Sequence, residues 1–160
     1  MKEMYKSDSQ DVNVNGLGSS KNTRMQAVKS EDTKVEKILG SALWKVGLRY
    51  RKHSKYVLGK PDFIFRRQKI AIFCDSEFWH AKELDKTIKT LKKNKEFWIK
   101  KLTRNAERDV EVTKGLSNDG WIVLRFWSKN IYQNLDVCVK TVKDAYELKN
   151  QVNDKKTKCD

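Results

Sequence analysis

The chain has 160 residues, a net charge of +14, 38% hydrophobic residues and five Trp, which fits one folded domain with tails and excludes a disordered chain. No apolar run reaches the roughly 18 residues a membrane span needs, and the three Cys, at 74, 138 and 159, offer neither a disulfide framework nor the close pairs of a zinc site. The excess of Lys and Arg favours a polyanionic partner through counterion release.

The first residues, Met1 to Asp8, carry no apolar stretch of the secretory kind, so a reducing cytoplasm is the expected compartment. Residues 1–22 are polar, with Asn, Gly and Ser, and read as a mobile tail. The domain is expected over 23–149. A helix starts near Thr33, which has capping-box spacing to Glu36. Val35, Ile38, Leu39, Ala42, Leu43 and Val46 recur on one face of it, and Gly47 closes it.

Leu48 to His53 alternates like a strand with a basic face, and His53 reads as a surface residue. Pro61 bars a helix from Asp62. Asp62–Phe65 and Ile70–Cys74 then form two Phe- and Ile-rich strands around the basic turn Arg66-Arg67-Gln68-Lys69. Residues 81–93 are rich in Lys and only weakly periodic, which predicts a mobile or partly helical segment.

A second helix runs from Asn94 or Lys95 to Ser117 and stops at Asn118-Asp119-Gly120. Trp98, Leu102, Ala106, Thr113 and Leu116 share a face, with Asp109 in its middle. A carboxylate there needs a partner, because burying it alone is costly. Trp121 to Trp127 is nearly all apolar and suits a central strand covered on both faces. The last helix, Leu135 to Lys149, sets Leu135, Cys138, Val139, Val142, Ala145 and Tyr146 on one side, and 150–160 reads as a fraying polar tail. The order αβββαβα predicts an α/β fold, a mixed sheet flanked by helices.

Chemistry gathers at the central hairpin. Asp62 opens its first strand; Asp75, Glu77 and His80 follow its second. Carboxylates and a His at adjacent strand ends can hold a divalent cation, and Mg²⁺ takes oxygen ligands of this kind. An acidic metal site on a basic body points to phosphodiester chemistry. Blander roles exist for each residue. Pro-Asp is a common turn pair, Glu36 can serve only as the capping partner of Thr33, Asp109 can pair with a nearby Arg, and Asp75 can face lysines instead of a metal.

Six blocks taken in order resemble the very-short-patch-repair (Vsr) endonucleases of the PD-(D/E)XK superfamily. They are Leu48–Arg51, Lys60–Phe65, Phe73–His80, Glu96–Trp98, Asn105–Asp109 and Gly120–Trp127. The resemblance implies a three-layer, restriction-endonuclease-like α/β fold and a Mg²⁺-dependent enzyme that nicks double-stranded DNA at T·G mismatches, near the nucleoid. It implies that Asp62 ligates the metal with the backbone carbonyl of Cys74; Asp75, by its place after the second strand, is a possible further ligand. It makes His80 the proton-handling residue and makes Glu36 and Asp109 supporting acids, and the place of Asp109 on the apolar face favours pairing with His80. Phe78, Trp79 and Trp98 match the aromatic residues that wedge into the base stack.

Two departures stand out. The well-studied members continue past the Phe-Trp-His block with His and Cys that build a zinc site; here Ala81-Lys82-Glu83-Leu84 follows, so no structural zinc is expected. Ser76-Glu77 also stands where Gly-Cys is common. Two alternatives therefore stay open: a restriction-type nuclease on ordinary duplex, and a basic nucleic-acid-binding protein on an inactive nuclease scaffold. The residues name no protein partner.

Overall fold

Two apolar layers sandwich a four-stranded sheet in the computed structural model, which describes residues 31–76 and 94–157. The expected N-terminal tail, the ordered start at Thr23–Lys29 and the lysine-rich segment 81–93 lie outside the described residues.

Helix α1 spans Lys34–Lys45 and begins at a complete capping box between Thr33 and Glu36. Its far end closes by a Schellman motif. Gly47, at φ 85°, donates to the Trp44 carbonyl, and Leu48 N–H reaches back to that of Leu43. Leu48 is thereby drawn into the core beside Leu43. This is why the expected strand from Leu48 shrinks to β1, Arg51–Lys52. His53 ends it with a positive φ of 45°.

Strands β2 (Phe63–Phe65) and β3 (Ile70–Asp75) pair antiparallel, Phe63 against Ile72 and Phe65 against Ile70. The turn between them closes on Lys69, whose φ of 52° lets its N–H meet the Arg66 carbonyl. Helix α2 runs Lys95–Asn118 and ends in a second Schellman motif, with Gly120 at φ 79°. Strand β4 (Ile122–Trp127) then lies parallel to β3, with Ile70 opposite Ile122 and Asp75 opposite Trp127.

Side chains on successive strand residues point to opposite faces. Ile70 and Ile72 therefore join Phe63, Phe65, Phe126, α1 and α4, while Ala71 and Phe73 meet Val112 and Leu116 of α2. The three layers and the mixed sheet are as the sequence predicts. The strand order, β1-β2-β3-β4, differs in one respect. Among the described residues the buried central strand is β3, and β4 stands at the end of the order. Its apolar run reflects helices on both faces, which an outer strand beneath two layers needs as much as an inner one.

A short helix α3, Ser128–Gln133, was not foreseen; it buries Ile131. Helix α4 extends from Leu135 to Thr157, past the expected Lys149. All six residues placed on its apolar side do pack in the larger core. Its extension is held by the hairpin turn: Gln68 donates to the Asn150 side chain at 2.9 Å, and Asn153 to the Arg67 carbonyl at 3.4 Å.

Candidate active site

Asp62 stands at the mouth of β2, where the Lys60-Pro61 entry turns into the sheet. Its Oδ2 accepts the backbone N–H of Cys74 at 2.7 Å, and its main-chain carbonyl accepts His53 N–H at 3.1 Å. The start of β2, the end of β3 and the end of β1 thus meet at one residue. Burial raises its pKa from 3.8 to about 6; the Cys74 N–H works against that rise, Glu36 adds to it, His53 opposes it and Asp75 adds to it. Glu36 and Asp75 are therefore close enough for Asp62 to feel their charge.

Glu36 performs the capping role weighed for it. Its Oε1 accepts from Thr33 N–H (3.2 Å) and from Thr33 Oγ1 (2.6 Å), and its Oε2 accepts from Asp32 N–H (2.9 Å). It is also buried beside the site. The cap holds an acidic side chain in the interior, where a helix start supplies the N–H donors that a carboxylate needs.

His53 is a correction to its reading as a surface residue. Its side chain is 20% exposed, and its buried Nε2 lies 3.5 Å from Glu36 Oε2 and 3.7 Å from Asp32 Oδ1. That nitrogen makes no hydrogen bond among the described residues. The ligand atoms of Asp32, Glu36 and His53 lie within 4.8 Å of one another. No spacing signal could have found this; the left-handed His53 backbone folds the ring back over α1.

Cys74 is held as a thiol. Burial first, and then the charges of Asp62, Glu36 and Asp75, push it well above its ordinary value. Its side chain packs against the larger core.

Asp75, expected as a possible metal ligand, has another partner. Both of its oxygens accept from Arg125: Nε to Oδ2 at 2.6 Å and Nη2 to Oδ1 at 2.9 Å. Arg125 Nη2 also lies 3.0 Å from Asp109 Oδ1. Asp109, placed by its helical position among apolar neighbours, has in Arg125 the counter-charge its burial requires. Burial disfavours the Arg125 charge, but Asp75 and then Asp109 outweigh it and lift the guanidinium above its ordinary value.

His80, Phe78 and Trp79 lie outside the described residues, and with them the expected His80–Asp109 pair. Trp98 sits in the first turn of α2, half-buried, edge-on to Phe97 at 5.4 Å between ring centroids. Phe97 is 60% exposed, so an aromatic pair and not one ring marks this end of the helix. Lys101 Nζ stands 5.4 Å from the Trp98 ring. The described site therefore joins Glu36, Asp62, Cys74, Asp75 and Asp109 through β-strand ends and two helices, while Trp98 starts the helix that carries Asp109.

The metal-binding atoms at hand are carboxylate oxygens, those of Asp62 with Glu36 near enough to raise its pKa. Such hard oxygen ligands suit a divalent cation, whose charge would also relieve the crowding of Asp62, Glu36 and Asp75. Among the described residues no helix is long and apolar enough to cross a membrane.

Comparison with known proteins agrees with this geometry. The family described as DNA mismatch endonuclease Vsr matches residues 18–86. The chain is 49% identical to a type II nicking enzyme of Neisseria meningitidis serogroup C, over 76% of this chain and 82% of that protein. It is 46% identical to a type II nicking enzyme of Haemophilus parainfluenzae, over 66% of this chain and 75% of that one. To the DNA mismatch endonuclease Vsr of Escherichia coli strain K12 it is 33% identical, over 68% of this chain and 69% of that protein. On its mixed sheet with flanking helices and on relatives of this identity and coverage, the chain belongs to the Vsr family of endonucleases, within the PD-(D/E)XK superfamily.

Proposed function

We propose that this endonuclease uses Mg²⁺ to nick one strand of double-stranded DNA at T·G mismatches, as a repair enzyme of the cytoplasmic nucleoid. The observation that carries the reading is Asp62: a half-buried carboxylate, locked by Cys74 N–H at 2.7 Å, with its pKa raised to about 6. A carboxylate so placed at the junction of three strands costs stability unless a ligand repays it.

Asp62 and the Cys74 carbonyl would hold the cation, with Glu36 supporting from α1. A bound Mg²⁺ supplies stabilisation of the charge that develops on the scissile phosphate. His80 moves the proton, with Asp109 orienting its ring. Phe78, Trp79 and Trp98 enter the base stack, partly unstacking it. Surface Lys and Arg neutralise backbone phosphates and set the register on the duplex.

A second reading rests on Ser76-Glu77, which puts a negative charge beside Phe78 and Trp79 and favours cleavage of fully paired duplex. One experiment separates them. Matched and T·G-mismatched oligonucleotide duplexes are incubated with the protein in Mg²⁺ or in EDTA. Mg²⁺-dependent nicking of the mismatched duplex alone supports repair. Equal cutting of both duplexes supports the second reading, and cutting in EDTA rejects the metal role.

A further inference from the structure

Arg125 is a charged residue in a strand that is otherwise apolar, Ile122-Val123-Leu124-Arg125-Phe126-Trp127. The β3–β4 register puts it opposite Phe73, and its guanidinium carbon lies 4.8 Å from the centre of that ring. By strand alternation it shares the α2-facing side with Val123, where an aliphatic side chain would fill the same space. Burying an ion pair gives a fold little net stability compared with apolar residues of similar size. Packing therefore does not explain an arginine here.

Its contacts do. Nε and Nη2 grip both oxygens of Asp75 at the end of β3, Nη2 meets Asp109 Oδ1 at 3.0 Å, and Nη1 reaches the Asp109 carbonyl at 3.4 Å. One planar cation thus ties the metal-side end of β3 to the middle of α2. The bidentate fork fixes direction as well as distance, which a lysine cannot do.

We propose that Arg125 is a positioning residue of the nuclease site, which keeps the Asp75 carboxylate off the metal and sets Asp109 in place for catalysis. The inference rests on the reading of Asp62 as the metal ligand. With Asp75 neutralised by the guanidinium, Asp62 faces the cation without a competing carboxylate one strand residue beyond Cys74. Without Arg125, the Asp75 carboxylate beside Asp62 loses its two charge-assisted hydrogen bonds, and Asp109 on α2 loses the guanidinium.

The test uses the full chain and four variants: Arg125→Met, Arg125→Lys, the double Arg125→Met/Asp75→Asn, and Asp62→Ala. Single-turnover nicking, the Mg²⁺ concentration for half-maximal rate, and thermal unfolding are measured for each. Arg125→Met should lose about tenfold or more in rate at saturating Mg²⁺, as misplaced catalytic groups do, and its half-maximal Mg²⁺ concentration should shift several-fold downward. Arg125→Lys should not rescue the rate. The double variant should return the Mg²⁺ dependence to that of the wild type while the rate stays low, because Asp109 still lacks the guanidinium.

The double variant also removes the carboxylate charge that Arg125 grips, so it reports on the rate even where Arg125→Met fails to fold. Variants that change only the unfolding temperature, with rate and Mg²⁺ dependence as in the wild type, overturn the proposal. Asp62→Ala keeps the two ideas apart: if it nicks normally, the metal reading itself fails, whereas an inactive Asp62→Ala beside a fully active Arg125→Met and double variant rejects Arg125 alone.

Discussion

The carboxylate of Asp62 accepts the backbone N–H of Cys74 at 2.7 Å, across the β2–β3 hairpin. One oxygen of the residue is therefore committed to the fold, and its charge is set where the strands open. Asp62→Ala is expected to abolish Mg²⁺-dependent nicking and to leave duplex binding within a few-fold of wild type, since binding draws on surface charge. Nicking assays and gel-shift titration on the same preparation check both halves; a variant that cuts at the wild-type rate rules the site out.

The raised pKa of Asp62 makes a stability prediction for the metal-free protein. The unfolded carboxyl titrates near 3.8 and the folded one at about 6. The folded state thus holds the proton more tightly, so its advantage is complete below 3.8 and is lost as pH rises through 6. The loss is on the order of 3 kcal/mol. Asp62→Asn cannot ionise and should escape it. In EDTA, the variant should unfold at a higher temperature than wild type at pH 7.5, with the gap closing toward pH 4. A gap that is constant across this range would show that Asp62 does not titrate as described.

Thr33 reaches the site through Glu36. Its backbone and hydroxyl both donate to Glu36 Oε1, and Glu36 stands 3.5 Å from His53. Thr33→Ala should cost about 1 kcal/mol of stability, the usual loss for a removed N-cap. Thr33→Ser, which keeps the hydroxyl, should recover most of it. Denaturant titration of the pair decides the matter, and equal losses in both would mean that the cap oxygen contributes nothing.

The net charge of +14 should dominate affinity for DNA. Binding to a matched duplex is expected to weaken with salt on a log–log slope of about −0.9 for each phosphate neutralised. Fluorescence anisotropy between low and moderate salt measures the slope. A flat response would place the binding energy elsewhere than in the basic surface.

Local signals in the chain carried the helices and the hairpin. Thr33 and Glu36 marked the start of α1, Gly47 and Gly120 marked two helix ends, and the six apolar residues of α4 fell on one side as their spacing required. Asp109 announced a buried carboxylate by its position on the wheel. What the sequence could not show was decided between distant residues. Arg125 looks like an interruption of an apolar strand until Asp75 and Asp109 are brought to it by the parallel register and by α2. His53 looks like one more basic surface residue until its left-handed backbone folds it onto Glu36. The extra length of α4 depends on Asn150 and Asn153 meeting the β2–β3 turn, which composition cannot reveal.

The parallel pairing of β3 with β4 has a kinetic consequence. Antiparallel β2 and β3 are joined by a short turn, whereas the whole of α2 lies between β3 and β4 in the chain. Closing the larger loop costs more chain entropy before any contact repays it, so such pairings form late in folding. The Asp62–Cys74 contact lies inside the hairpin and belongs to the early structure, while the grip of Arg125 on Asp75 must wait for β4. During refolding, amides of the hairpin should gain protection from hydrogen exchange before those of β4, and simultaneous protection would refute that order. A newly made chain would thus form its acidic hairpin before the guanidinium of Arg125 reaches Asp75.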